Sequence, residues 1–251
     1  MFDKSGKVEF IATKNFPLVY LTIPKNACTT IKYAMHLIDG NEPLQNKKNI
    51  HRKINRTESS LIGWIREKNL ISKLKEENFA FTLVRNPLHR IYSCYCDKIY
   101  NITPQSFQRI RNYLIENQFI DLPKWRVPKS NERSLENYRT NFKGFLRFVE
   151  LSINGKTSIK NDPHWDTQSN IINAAKEYTF TLNFIGKVEN IEQDLNKVLR
   201  QFSQEFSHEH PKLNKGEKQF KLEDILDNEI LATITSIYKE DFKNYGYTIQ
   251  P

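Results

Sequence analysis

Three short apolar runs, each followed by a stretch of helical period, limit what this chain can fold into more than any other feature. Residues 17–23 (PLVYLTI) and 79–84 (FAFTLV) are apolar runs of strand length, rich in branched and aromatic side chains. Residues 179–186 (TFTLNFIG) read as a third strand. Behind the first run, residues 27–38 place Ile31, Ala34, Met35 and Ile38 on one helical face. Behind the second, Asn86 is an N-cap and Pro87 a first helical residue. That helix runs to about Tyr100, with Leu88, Ile91, Tyr92, Tyr95 and Ile99 as its apolar stripe. Behind the third, Asn190 caps a helix carrying Ile191, Leu195, Val198, Leu199 and Phe202 on one side. Alternation of this kind predicts an α/β fold with a small central parallel sheet flanked by helices.

The remaining segments fill in around that frame. Residues 39–57 read as polar loop and 58–70 as a short amphipathic helix. Residues 101–160 read as a helical insertion, with helices near 105–118 and 134–153 around the proline-broken DLPKWRVPKSN. A polar loop over 203–220 precedes a last helix near 222–242. At 251 residues, with no repeat, the chain is expected to form one domain, 1–251. The longest apolar run, Leu18 to Ile23, falls far short of the roughly 18 residues of a membrane helix. The N-terminal MFDKSGKVEF has no apolar signal core, which argues against a cleaved secretion signal. The 3 cysteines, Cys28, Cys94 and Cys96, have neither framework nor zinc spacing, so free thiols in a reducing compartment and no metal site are expected.

A net charge of +9 points to an anionic partner, although a basic surface also serves solubility. Two segments can meet such a partner. The first strand runs into Pro24-Lys25-Asn26-Ala27-Cys28-Thr29-Thr30 and a helix, and helix N-termini after strands bind anions through backbone N–H groups. Lys25 adds a cation; Thr29 and Thr30 add hydroxyls, or simply cap the helix. The second strand ends in Val84-Arg85-Asn86-Pro87, placing Arg85 where ligands bind open α/β sheets. Ser93 lies about 140° around the helix from Leu88, off the apolar stripe. Two anion sites on one sheet edge suit a nucleotide with two separated phosphates. A Walker A loop is absent: Gly155-Lys156-Thr157 follows a helix, and the position needing an earlier glycine is Glu150.

PKNACTT after a strand resembles the 5′-phosphosulfate loop of sulfotransferases, and VRNPLHRIYSCYCDKI resembles their 3′-phosphate motif. His164-Trp165-Asp166-Thr167-Gln168, the stretch Phe184 to Asp194 and the tail Tyr238 to Tyr247 are similar to motifs of the carbohydrate sulfotransferases that include the chondroitin 4-O and HNK-1 enzymes. Thr167 stands where that group has proline, and its following cysteines, stem and membrane anchor are missing. The resemblance implies a three-layer, P-loop-like sulfotransferase fold and 3′-phosphoadenylyl sulfate (PAPS) as donor. It implies in-line transfer to a hydroxyl, most simply of a carbohydrate, with no metal. Lys25 would stabilise the leaving phosphate. Asn26, Ala27, Cys28, Thr29 and Thr30 would hold the 5′-phosphate, and Arg85 and Ser93 the 3′-phosphate. The absence of signal and anchor suggests a cytoplasmic, bacterial enzyme.

The acceptor hydroxyl needs a general base, most often histidine. His164 is the candidate by motif, against the reading that it orients a loop or packs beneath Trp165; His51 is the second. His89 reads as structural, His208 and His210 as solvated. Residues 101–160 hold 11 Lys and Arg against 5 Asp and Glu, and Trp125 lies between Lys124 and Arg126. That suits an anionic sugar on the insertion, though a solvated helix face explains most of those charges equally. Two rival functions remain at this level. One is a P-loop-type kinase, which the missing Gly-Lys-Ser/Thr opposes. The other is a basic nucleic-acid-binding protein, for which no helix-turn-helix, zinc or RNP pattern is present.

Overall fold

The computed structural model describes residues 8–46, 49–55, 58–63, 78–123, 134–176, 181–204 and 218–249. In chain order its elements are β1 (Phe10–Ala12), β2 (Leu18–Leu21), α1 (Cys28–Ile38), α2 (Ile50–Asn55), β3 (Ile62–Gly63), β4 (Phe79–Val84) and α3 (Pro87–Cys94). A π-helical turn, Tyr95–Tyr100, continues α3. There follow α4 (Gln108–Glu116), α5 (Leu135–Ile153), α6 (Gln168–Lys176), β5 (Phe184–Lys187) and α7 (Ile191–Leu199). The chain ends in α8 (Leu222–Ile225), α9 (Asn228–Ile237) and α10 (Lys239–Asn244). These elements gather into two compact units, residues 1–85 with 168–215, and residues 86–167 with 216–251. Among the described residues, no helix is long and apolar enough to cross a membrane.

The first unit carries a five-stranded sheet in the order β3-β1-β2-β4-β5. β2, β4 and β5 are parallel neighbours, with Leu18 opposite Phe79 and Leu83 opposite Gly186. These are the three strands expected from the apolar runs. The sheet is nonetheless mixed, because β1 and β3 add an antiparallel edge. Both are three residues or shorter, too brief for a period of two to show. Thr13 closes the β1–β2 hairpin, its Oγ1 donating to Phe16 O at 2.7 Å. β3 lies within the segment expected to be helical, 58–70, whose residues 64–70 are outside the described set; α2 lies within the segment expected to be loop. β5 starts later than the sequence suggests. Asn183 bonds both backbone groups of Ala80, N–H to O at 2.8 Å and Oδ1 from N at 2.7 Å, and the strand follows it. Tyr20, Phe81 and Leu83 of the sheet, Ile31 and Met35 of α1, and Leu195, Val198 and Leu199 of α7 form the core.

The second unit is helical and packs on aromatic rings. Asn86 caps α3 as expected, its side chain accepting from Leu88 N at 2.9 Å, with Pro87 at the first helical position. Leu88, Ile91, Tyr92, Tyr95 and Ile99 are all buried, as the stripe requires. The winding widens after Cys94: Asn101 N donates to Cys96 O at 3.0 Å, an i to i+5 bond. Tyr95 and Tyr100, also five apart, bring their ring centroids to 5.8 Å. Tyr138, Phe142, Phe145 and Phe148 of α5 meet these rings and Trp165, mostly edge-on or tilted, the arrangement ring quadrupoles favour. The expected single helix over 222–242 is three pieces. Leu226 is extended, and Asp227 restarts the chain as N-cap, accepting from Ile230 N at 2.8 Å. A short acidic side chain competes with helix continuation in this way. DLPKWRVPKSN lies mostly outside the described residues, including Trp125, Lys124 and Arg126.

Gly144 on α5 is fixed by proximity. A Cβ there would sit 1.6 Å from the Phe119 carbonyl oxygen, which backbone cannot readily vacate. Gly144→Ala should therefore destabilise the protein by about 1–3 kcal/mol, the usual cost of overpacking. Guanidinium unfolding should show a lower midpoint at unchanged slope; an unaltered midpoint would mean the two segments are not held this closely.

Candidate functional site

The loop after β2 and the loop after β4 leave the same edge of the sheet, because the two strands are parallel neighbours. The first is bent in an unusual way. Lys25 and Ala27 both have positive φ, 71° and 56°, although neither is glycine. Each costs about 1–2 kcal/mol in the left-handed region, so other contacts must hold the loop. Asn26, between them, supplies those contacts. It is fully buried, and its Nδ2 donates to Leu83 O at 2.8 Å and to Gln168 Oε1 at 2.6 Å. Both partners are acceptors, which fixes the amide's orientation. Asn26 Oδ1 is buried and accepts no hydrogen bond from the described residues. A bound hydroxyl, amine or water would satisfy it.

The second loop is tied to the same point. Gln168, the first residue of α6, is fully buried. Its Oε1 accepts from Arg85 N at 2.8 Å and its Nε2 donates to Arg85 O at 2.9 Å. One carboxamide thus serves both backbone groups of Arg85 and the side chain of Asn26. Arg85 Nη1 closes the loop by donating to Lys25 O at 3.0 Å. Lys25 and Arg85, both half-buried, are therefore one hydrogen bond apart.

α1 begins at Cys28 with Ala27 as N-cap, whose methyl group offers no capping hydrogen bond. Thr29 and Thr30 sit inside that turn, buried, rather than at the capping position. The backbone donors at this terminus are thus presented without a capping side chain, which is what anion binding uses. His51 of α2 lies against this turn: its Nε2 is 3.0 Å from Thr29 Oγ1 and its Nδ1 3.4 Å from Lys32 Nζ. Lys32 in turn donates to Glu9 Oε2 at 2.8 Å. Burial works to raise the Glu9 carboxyl, but the Lys32 ammonium outweighs it and holds it below its ordinary value. His51 therefore belongs to the wall of the first loop. Cys28 is half-buried, and Cys28, Cys94 and Cys96 are free thiols.

The other sequence candidates lie in the second unit. Ser93 is half-buried on α3, and His89 likewise. His164 lies in the turn before Gln168. Its Nδ1 is 2.7 Å from Asp162 Oδ1, and its ring meets Phe107 edge-on at 4.8 Å. Its side chain is 20% exposed, and the neighbouring Trp165 is fully buried. Gly155-Lys156-Thr157 is an exposed turn closing α5, with Gly155 at φ 67°. His208 and His210 lie outside the described residues. Sequence reasoning quoted Gln168 within a motif but gave it no role, and it passed over Asp162; a burial signal for either is absent from the sequence.

The sulfotransferase family model matches residues 8–248, which takes in both loops and the His164 turn. The chain belongs to the sulfotransferase family. No curated protein and no solved structure gave a match. Membership of the sulfotransferase family makes this chain a transferase of sulfuryl groups, and it favours that reading over the kinase and nucleic-acid alternatives. The fold agrees with it: a mixed α/β architecture with a five-stranded sheet flanked by helices.

Replacing Gln168 by alanine leaves both Arg85 backbone groups and Asn26 Nδ2 short of a partner. At about 1–3 kcal/mol for each buried group left unsatisfied, Gln168→Ala should cost at least about 2 kcal/mol of stability. Gln168→Glu keeps the acceptor but removes the donor to Arg85 O and should lose stability too. Chemical denaturation measures both; wild-type stability in the alanine variant would show that the carboxamide does not hold the loops.

Proposed function

We propose that this protein transfers the sulfuryl group of PAPS to a hydroxyl of a carbohydrate. The observation that carries the reading is the joining of the two loops through Gln168. It holds a lysine and an arginine together at the sheet edge where phosphates bind in open α/β folds. The residues suit such a donor: the backbone N–H groups of a helix start, two threonine hydroxyls and two cations.

Ala27, Cys28, Thr29 and Thr30 contribute backbone and hydroxyl donors to the 5′-phosphate, while Asn26, whose N–H and Nδ2 donate to Ile23 O, Leu83 O and Gln168, shapes the loop. Arg85 and Ser93 grip the 3′-phosphate, the guanidinium fork matching it bidentately. Lys25 neutralises the charge that grows on the bridging oxygen as the sulfur–oxygen bond breaks. Because that charge develops only in the transition state, Lys25 acts on turnover more than on binding. The acceptor oxygen forms the new bond to sulfur in line with the one that breaks. Its proton passes to His164, and adenosine 3′,5′-bisphosphate leaves. The excess of Lys and Arg over Asp and Glu in segment 101–160 suits an acidic or neutral sugar as acceptor.

Adenosine 3′,5′-bisphosphate should bind more tightly than AMP, and Arg85→Ala should remove most of that preference, about 1.5–3 kcal/mol for a charge-assisted bond. Calorimetry giving equal affinity for the two nucleotides would defeat the donor assignment. With labelled PAPS and a panel of sugars, Lys25→Met should lower kcat by roughly 10²-fold or more. A variant with normal kcat and only a raised KM would make Lys25 a binding residue.

A further inference from the structure

We propose that Asp162 is a positioning residue that fixes the tautomer of His164 and so selects Nε2 as the nitrogen that takes up the acceptor's proton. The inference rests on the reading of His164 as base. Asp162 Oδ1 lies 2.7 Å from His164 Nδ1 and also accepts from His164's own backbone N at 2.9 Å. A carboxylate oxygen can only accept, so the short ring contact requires the proton on Nδ1. In a neutral imidazole that leaves the lone pair on Nε2.

The surrounding turn is clamped in advance. Trp165 N and Asp166 N donate to Asp162 O at 3.1 and 3.0 Å. Arg90, 1% exposed, donates to Pro163 O at 2.7 Å and to Asp166 O at 2.6 Å. Its guanidinium therefore bonds carbonyls on either side of His164. Tyr238 OH donates to Trp165 O at 2.7 Å. Phe107 sets the plane of the imidazole from one side. Among the described residues, charged groups around the pair include Arg90 from α3, Asp97 and Lys98 from the π-helical turn, and Asp166 of the same turn as His164. Lys98 Nζ sits 5.3 Å from the Phe107 ring centroid and 3.2 Å from Asp97 Oδ2. Partial burial works to raise the Asp162 carboxyl, but the hydrogen bonds and charge of His164, with Lys98, hold it below its ordinary value. Asp162 is thus a carboxylate at neutral pH. A turn with a merely structural carboxylate would need only the backbone bond. The second bond, to the ring, is what orients a base.

The test reads the ring directly. Nitrogen NMR of the wild-type protein, without substrate, should show neutral His164 as the Nδ1–H tautomer, against the Nε2–H form free imidazoles prefer. Asp162→Asn keeps an oxygen for both hydrogen bonds but removes the charge. It should lower the His164 titration midpoint by about one pH unit or more. It should also cut kcat at least about tenfold with KM nearly unchanged, and shift the acidic limb of the rate–pH profile to lower pH. An Nε2–H tautomer in the wild type, or an unmoved midpoint in the variant, overturns the inference whatever the activity. If instead His164→Asn keeps wild-type turnover, the base reading fails while the tautomer result stands by itself.

Discussion

The carboxamide of Gln168 is the interaction on which the candidate donor site depends. Two parallel strands deliver two loops to one edge of a sheet, but nothing in strand pairing fixes the loops beyond their last ladder bond. Lys25 and Ala27 adopt backbone conformations that side chains disfavour, and Arg85 leaves its strand with both backbone groups outside the ladder. Gln168 answers both needs from a third element, accepting from Asn26 and pairing with Arg85 as a strand neighbour would. Glutamine is suited to this because it offers a donor and an acceptor in one rigid plane, and no charge to desolvate. The strain in the first loop and the order of the second are thereby settled at one buried point.

The second unit solves a different problem with a different device. Its core is aromatic, and rings leave the backbone of connecting turns without regular partners. Buried arginines fill that role. Arg90 bonds Pro163 O and Asp166 O, and Arg111 bonds the carbonyls of Ile99 and Pro123. A guanidinium presents several donors in a fixed fork, so one side chain can satisfy carbonyls from separate points of a turn. The cost is a buried charge, which carbonyl dipoles offset only in part. The turn held by Arg90 carries Asp162 and the candidate base His164.

Much of the architecture was legible in the sequence because it follows from local period and local chemistry. The runs at 17–23 and 79–84 are apolar except for one threonine each, as strands buried on both faces tend to be, and they became the adjacent parallel strands β2 and β4. Asn86-Pro87 capped α3 because cap geometry involves only neighbouring residues. Elements of two or three residues, β1 and β3, carried no readable period. The helix near 222–242 broke at Asp227 because a capping side chain outcompeted continuation, a choice that propensity leaves open.

The site divides along the same line. The sequence by itself determined which residues could bind phosphate: a lysine, two threonines and an arginine at the ends of strands that open into helices. It also determined the sulfotransferase resemblance, since motifs in register survive without any knowledge of contacts. Only the tertiary structure decided that Gln168 joins the two loops across 142 and 83 positions of chain. Only it placed His51 against Thr29 and Lys32, and gave His164 a carboxylate partner. The physical reason is that a hydrogen bond between distant side chains leaves no period, no propensity and no composition in the chain. It exists once packing has brought the groups together and excluded the water that would otherwise compete.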